Sequence, residues 1–232
     1  MVLKRWEELP ERMRTEEVRP YYEILQKHKT VLALKRFFDF LLSLVLLLII
    51  WPVLVIIAIA VKVDSPGPAF FRQERITTYG KKFRIWKFRT MVTDSAKIGS
   101  QVTVSNDRRV TRIGKILRGV RLDELPQVIN ILTGDMSFVG TRPEVSKYVE
   151  AYKPEYYATL LLPAGVTSEA SIRYKDESRL LAESGDIDKT YIEEILPAKM
   201  KWNLDSIRKF SFRGEICTMV RTVLAVLGKE YQ

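Results

Sequence analysis

The sequence predicts an α+β fold: a small membrane-associated domain with one apolar membrane segment, a short β-hairpin and amphipathic helices suited to a bilayer surface. Three observations lead there. Leu41 to Val61 reads LLSLVLLLIIWPVLVIIAIAV, with 19 apolar residues of 21 and no charge. As a helix it is about 31 Å long, against a hydrocarbon core of roughly 30 Å. Residues 69–91 alternate apolar and basic side chains around Tyr79-Gly80, the pattern of a hairpin with one cationic face. Near the C-terminus Ile216, Met219, Val220, Val223, Leu224 and Leu227 recur at helical spacing.

Taken in order, residues 1–34 are charged, with Trp6, Leu9, Met13, Val18, Ile24 and Leu25 interspersed, and read as a separate surface helix or loop. Residues 35–62 form the membrane segment. It is not read as a cleaved signal, because charged residues fill the stretch before it and no small-residue cleavage site follows. Pro52 stands at its centre, where proline removes a backbone donor and clashes with the carbonyl of Leu48. Both flanks are basic: Lys27, Lys29, Lys35 and Arg36 before, Lys62, Arg72, Arg75, Lys81, Lys82 and Arg84 after. By the positive-inside rule both ends face the cytoplasm. The residues leave two topologies open, a single spanning helix and a helix–break–helix whose halves, each about 15 Å deep, enter and leave on one side.

Ser65-Pro66-Gly67-Pro68 is a turn that closes the segment, and residues 63–232 make up the remaining domain. After the hairpin, residues 92–107 are polar and read as loop. Helical patterns cover 112–119 and then Asp123 to Thr133, with Gly134 as the stop. Further helices are expected around 145–158, 176–183, 188–209 and 214–228.

Composition narrows the chemistry. The 232 residues carry a net charge of +10, one cysteine (Cys217) and one histidine (His28). These exclude a disulfide framework, an HExxH motif and a His-rich or Cys-rich metal site. His28, in the charged N-terminal stretch, is poorly placed for a Ser-His-Asp triad. An acid, base or nucleophile is therefore expected among carboxylates, Lys, Tyr or Ser. Residues 62–150 hold 17 basic and 9 acidic side chains, while residues 151–232 hold 12 of each. The excess after the apolar run suits anionic headgroups or phosphorylated substrates. Nucleic acid would fit the charge but not the apolar run.

Asp123-Glu124 is the sharpest acidic feature in that basic segment. An acid pair at a helix start complements the helix dipole whatever else it does. What points to chemistry is its company: Lys87, Arg89, Arg109, Arg112, Arg118, Arg121 and Arg142. A carboxylate among fixed cations keeps its charge and can bind Mg²⁺ or attack a phosphorus, while the cations hold phosphate oxygens. Adjacent residues do not share a helix face, so the two acids are expected to play different parts. Gly80-Lys81 lacks the upstream glycine of a P-loop.

Seven motifs in unbroken order carry a resemblance. They are Lys35-Arg36-Phe37-Phe38-Asp39, SPGPAFFRQERIT at 65–77, KFRTM at 87–91, RVTRIGKILR at 109–118, LDELPQ at 122–127, GDMSFVGTRPE at 134–144 and PAGVT at 163–167. Through them the chain resembles the monotopic bacterial phosphoglycosyl transferases, or bacterial sugar transferases. The resemblance implies that Asp123 attacks the β-phosphate of a UDP-sugar and releases UMP. A polyprenol phosphate, typically undecaprenyl phosphate, then takes the phosphosugar from the aspartate, initiating bacterial surface glycan or glycoprotein glycan assembly. It implies Glu124 as the second catalytic acid, with Lys87, Arg89, Arg109, Arg112, Arg142 and Arg173 binding substrate, and Mg²⁺ held at Asp123. It implies a re-entrant segment broken at Pro52 and a catalytic domain on the cytoplasmic face of the bacterial inner membrane. Membrane lipid and a second copy of the chain, as a homodimer, complete the expected partners; nucleic acid is not among them.

The chain departs from the family pattern at Thr141, where proline is more frequent, at Arg121, where serine is common, and in SEASIRYKDE after Thr167. A competing reading is a non-catalytic single-pass adaptor whose basic domain binds lipid or a partner. UMP release from UDP-sugars separates the two.

Overall fold

The computed structural model describes residues 3–93, 107–174, 181 and 186–226. Two 3₁₀ turns, Trp6–Glu8 and Glu11–Met13, lead into α1 (Arg19–Lys27) and then α2 (Lys29–Asp64). The antiparallel hairpin follows, β1 (Phe70–Ile76) and β2 (Lys82–Phe88), paired from Phe70 opposite Phe88 to Ile76 opposite Lys82. Then come α3 (Arg112–Gly119), a 3₁₀ turn at Leu122–Glu124, α4 (Gln127–Thr133) and β3 (Met136–Val139). Next are α5 (Ser146–Glu150), a 3₁₀ stretch Pro154–Leu161, β4 (Ala164–Thr167) and α6 (Glu169–Arg173). Finally α7 (Ile187–Thr190) runs through a π-turn (Tyr191–Ile195) into α8 (Leu196–Arg208), and α9 (Phe212–Val226) ends the described chain. The expected mixture of helix and sheet is present.

The hairpin, α3 and the 188–209 and 214–228 helices fall close to where the sequence places them. Gly134, at φ +92°, stops α4 as expected of a left-handed C-terminal cap. The 145–158 helix is instead interrupted at Tyr152–Lys153 by an extended stretch before Pro154, which proline imposes on the residue ahead of it. Of the expected helix at 176–183 only Leu181 is described, and most of the 92–107 loop lies outside the described residues.

Three differences matter for the site. First, β3 and β4 form a short parallel pair, Met136 opposite Ala164 and Val139 opposite Thr167, where no strand was expected. Gly165 makes the pair possible: a Cβ there would lie 2.2 Å from the backbone nitrogen of Gly140. Second, the N-terminal residues are not a surface appendage. Leu9, Met13, Val18, Tyr21, Tyr22 and Leu25 are buried in one core with Leu196, Met200, Leu204 and Ile207 of α8. Their spacing gives the segment an apolar face, and burying it outweighs its high charge. Third, α2 is a single helix of 36 residues that continues through Pro52, so the expected helix–break–helix is not two separate helices.

α2 is long and apolar enough to cross a membrane, yet one stripe of it is bound along most of its length. Leu32, Lys35, Asp39 and Ser43 are buried near its start, and Leu54, Ile57 and Val61 near its end. The latter pack with Phe88 of β2 and Leu117 of α3. The opposite face exposes Phe37, Leu48, Ile49, Trp51, Ile56 and Ile59.

Candidate active site

The site forms where β2, the turn before α4 and the segment after β3 converge. Residues 83, 85 and 87 share one face of β2, so the pleat that buries Phe83 and Ile85 also carries Lys87 inward. Asn130 of α4 docks onto the same strand. The Trp86 backbone N–H donates to Asn130 Oδ1 at 2.8 Å, and Asn130 Nδ2 donates to the Arg84 carbonyl at 3.1 Å. A side-chain amide thus does at the β2 edge what a neighbouring strand would do.

The chain enters α4 through Arg121, held in left-handed backbone at φ +57°. For a non-glycine residue this costs about 1–2 kcal/mol, and it turns the chain from α3 into the Leu122–Glu124 turn. Pro126, whose fixed φ suits a helix start, then begins α4. The acids therefore precede the helix in a 3₁₀ turn rather than opening it.

That turn separates the acids chemically. Lys87 Nζ donates to Glu124 Oε1 at 2.8 Å. Arg142, carried by the segment after β3, grips the same carboxylate with both arms of its guanidinium, Nη1 to Oε2 at 3.2 Å and Nη2 to Oε1. Burial alone would raise Glu124, but Arg142 and Lys87 together overcome it and hold the carboxyl well below the usual range. Asp123 is also buried, at 8% exposure. It makes no hydrogen bond or ion pair with any described residue. Burial pushes its pKa up, Glu124 adds to that, and Lys87, Arg118 and Arg142 pull against it. Burial likewise lowers Lys87 and Arg118. Glu124 is therefore the fixed counter-ion that organises the cations, and Asp123 is the carboxylate with unused lone pairs.

The other expected substrate-binding residues scatter. Arg89 is buried, and its guanidinium donates to the carbonyls of Pro66 at 2.7 Å and Ser65 at 2.6 Å, with Val61 at 3.3 Å. It closes the end of α2, whose last carbonyls need donors, rather than facing Asp123. Arg109 pairs with Asp107, its Nη2 2.6 Å from Oδ2. Arg112 is exposed at the start of α3. Arg173 stacks over the Trp202 ring at 3.9 Å. Arg118, one of the cations surrounding the pair in sequence, donates to Thr90 Oγ1 at 2.8 Å and bears electrostatically on Asp123.

Two buried polar groupings behind the site had little signature in the sequence. Tyr191 OH donates to Glu144 Oε1 at 2.5 Å, with Lys199 Nζ 2.9 Å from the Tyr191 oxygen. Gln127 is 1% exposed, and both polar atoms of its amide lack a hydrogen-bond partner among the described residues. The Glu of TRPE and the Gln of LDELPQ were visible within motifs, but nothing local marked either as buried.

Among the described residues no group of three or more His, Cys, Asp or Glu side chains is placed to enclose a metal. Mg²⁺ does not require one. It is commonly held by one or two carboxylates, substrate phosphates and water. An unpaired Asp123 carboxylate fits that mode, whereas Glu124, occupied by two cations, does not.

The sequence model of the family described as bacterial sugar transferase matches residues 30–229. The chain belongs to that family. A UDP-glucose:undecaprenyl-phosphate glucose-1-phosphate transferase of Escherichia coli (strain K12) is 40% identical over 195 residues, covering 82% of this chain and 39% of that protein. A UDP-N-acetylgalactosamine-undecaprenyl-phosphate N-acetylgalactosaminephosphotransferase of Aeromonas hydrophila is 32% identical, covering 84% of this chain and 44% of its own. The namesake glucose enzyme of Caulobacter vibrioides (strain ATCC 19089 / CIP 103742 / CB 15) is 35% identical, over 83% of this chain and 69% of its own. This bacterial sugar transferase thus spans about two fifths of the length of the first two relatives, and the relatives' names differ in the sugar.

Proposed function

We propose that the protein transfers a sugar-1-phosphate from a UDP-sugar to a polyprenol phosphate, most simply undecaprenyl phosphate, and releases UMP. The observation that carries this reading is the division between the acids: Glu124 fixed by Lys87 and Arg142, Asp123 buried beside the same cations with no hydrogen-bond or ion-pair partner among the described residues. The relatives' names supply the substrate classes.

In this reading Asp123 Oδ attacks the β-phosphorus of the UDP-sugar. The bond from that phosphorus to the bridging oxygen breaks, and UMP leaves. An oxygen of the polyprenol phosphate then attacks the same phosphorus, the aspartyl P–O bond breaks, and the free carboxylate returns. Lys87, Arg118 and Arg142 hold phosphate oxygens and balance the charge that develops there. Mg²⁺, held by Asp123 and substrate phosphate, would supply further charge neutralisation. The adaptor alternative gives no account of a buried carboxylate left unpaired among cations.

The protein would act at the cytoplasmic face of the bacterial inner membrane, with α2 entering and leaving on that side. Support comes from its two ends. Near the start, Lys35 Nζ donates to the Val139 carbonyl at 2.9 Å, Arg36 to those of Ile131 and Leu132, and Asp39 accepts from the Phe138 N–H. Near the end, Asp64 accepts from the Ile113 N–H, capping α3, while Arg89 holds the last carbonyls. About 33 Å of helix separates Asp39 from Val61, yet both ends are tied to one domain. A straight spanning helix would place those contacts on opposite sides of the bilayer. Exposed Ile116 of α3 and Val120 just after it, with Val220 and Val223 of α9, suit helices lying at the interface.

The test is UMP release from a panel of UDP-sugars with polyprenol phosphate, alongside intact mass spectrometry after UDP-sugar alone. Wild type gains one phosphosugar mass and Asp123→Asn gains none, because an amide cannot form the acyl phosphate. An adduct that persists in Asp123→Asn places the nucleophile elsewhere.

A further inference from the structure

Below Glu124 lies a cavity of about 420 Å³, within the roughly 300–1,000 Å³ typical of ligand pockets. Its walls come from four places: Leu46 and Ile50 of α2, Val120 to Ile131 around the acid turn and α4, Phe138 and Val166 of the parallel strands, and Ile172 with Ala225 beyond them. The reaction as proposed uses none of these apolar residues.

Most polar groups on the walls already have protein partners. Thr167 Oγ1 and Thr222 Oγ1 bond each other at 2.7 Å, Ser171 Oγ bonds Ser168 Oγ at 3.0 Å, and Glu124 is held by Lys87 and Arg142. To a ligand these walls are apolar. A sugar, which needs several hydrogen bonds, would lose more on desolvation than they return. The exception among the described lining residues is Gln127, whose buried amide has no partner for either atom. An unmatched buried amide is destabilising unless something fills it.

Two further features fix the occupant. Val120 lines the cavity and is 52% exposed, so the cavity meets the surface that the proposed orientation sets at the bilayer. The same cavity reaches Arg121, Glu124 and Gln127, beside Asp123. A ligand that fits is apolar along its length, enters from the bilayer and ends in an anion.

We propose that this cavity holds the first isoprene units of the polyprenyl phosphate, with Arg121 and the Gln127 amide at its phosphate end. The inference rests on the proposed reaction for its substrate and adds where that substrate sits. It also gives α2 a role beyond anchoring: Leu46 and Ile50 form one wall of the lipid's path, so the segment that holds the protein in the membrane also guides the acceptor to the aspartate.

The direct test is photocrosslinking of wild-type protein in lipid nanodiscs with a polyprenyl phosphate bearing a diazirine in its first isoprene units. Crosslinks in peptides covering 119–131 and 166–172 are expected. Crosslinks confined to the outward face of α2, at Leu48, Ile49 or Ile56, overturn the inference. So does competitive displacement of the probe from the cavity by UDP-sugar, which would assign the space to the sugar nucleotide. Kinetics supply a second reading. Val166→Phe and Ile172→Phe narrow the cavity, and Gln127→Leu removes the amide; each should raise KM for polyprenol phosphate at least tenfold more than KM for UDP-sugar. Equal changes in both constants, or none, count against the assignment. Cavity crosslinks from a wild-type protein that releases no UMP from any UDP-sugar would uphold the lipid site and overturn the proposed reaction instead.

Discussion

At the scale of single residues, the neighbours Asp123 and Glu124 have opposite electrostatic fates. Glu124 meets Lys87 and Arg142 and is held ionised; Asp123 is buried with no hydrogen-bond or ion-pair partner among the described residues, and its pKa rises. Only the unprotonated carboxylate attacks phosphorus. The acid limb of single-turnover UMP release should therefore lie above the ordinary Asp value of about 3.9. In Glu124→Gln the anion that pushes Asp123 up is gone, while Lys87 and Arg142 still pull it down. That limb should then move to lower pH, even as the overall rate falls because the cations lose their organiser. A limb that stays in place or moves up in Glu124→Gln would show that Glu124 does not tune Asp123.

At the scale of elements, the site depends on how α4 and the β3–β4 pair are fixed. Asn130→Ala strips the partner from the Trp86 N–H and leaves the Arg84 carbonyl with only the longer bond from Arg72 Nη2 at 3.4 Å. Leaving the N–H unmatched costs about 1–3 kcal/mol, so chemical denaturation should show a loss of roughly that size. Because α4 then shifts against β2, kcat should fall further than the stability loss explains at a temperature where the variant is still folded. Gly165→Ala tests the other support. Its new methyl would press on the Gly140 backbone at 2.2–2.6 Å, and overpacking of this kind costs about 1–3 kcal/mol. Arg142 follows β3 by three residues, so this variant should lose activity along with stability. Unchanged unfolding midpoints would mean that the strands separate without consequence.

At the scale of the whole molecule, α2 decides the orientation. If it enters and leaves on one side, residues before and after it share a compartment. With the exposed Cys217 replaced by serine, single cysteines at Lys27 and Lys115, both exposed, report this. Neither should react with an impermeant reagent outside intact cells, and both should react after lysis. Labelling of position 27 alone from outside would establish a spanning helix. Pro52→Leu restores a backbone donor at the centre of the segment. Within the re-entrant reading it should increase the fraction of molecules whose position 27 labels from outside.

By itself the sequence determined whatever local pattern encodes. The two-residue period and Tyr79-Gly80 located the hairpin, Gly134 located the end of α4, and an uncharged run located the membrane helix. Seven motifs in unbroken order carried the resemblance to the family. Asp123, Glu124, Lys87 and Arg142 were legible as a group because acids and cations concentrate in one basic segment. The parallel strands were not, since four residues are too few to display a period and their pairing joins positions 28 apart. The N-terminal segment read as surface because its charge is local, whereas its apolar partners on α8 lie almost 200 residues away. Arg89 looked like the other cations, and only the folded chain aimed it at the carbonyls ending α2. The unequal states of Asp123 and Glu124 were likewise a tertiary outcome: adjacent carboxylates differ only once folding has brought a lysine from β2 and an arginine from beyond β3 to one of them and left the other in a buried, unpaired place.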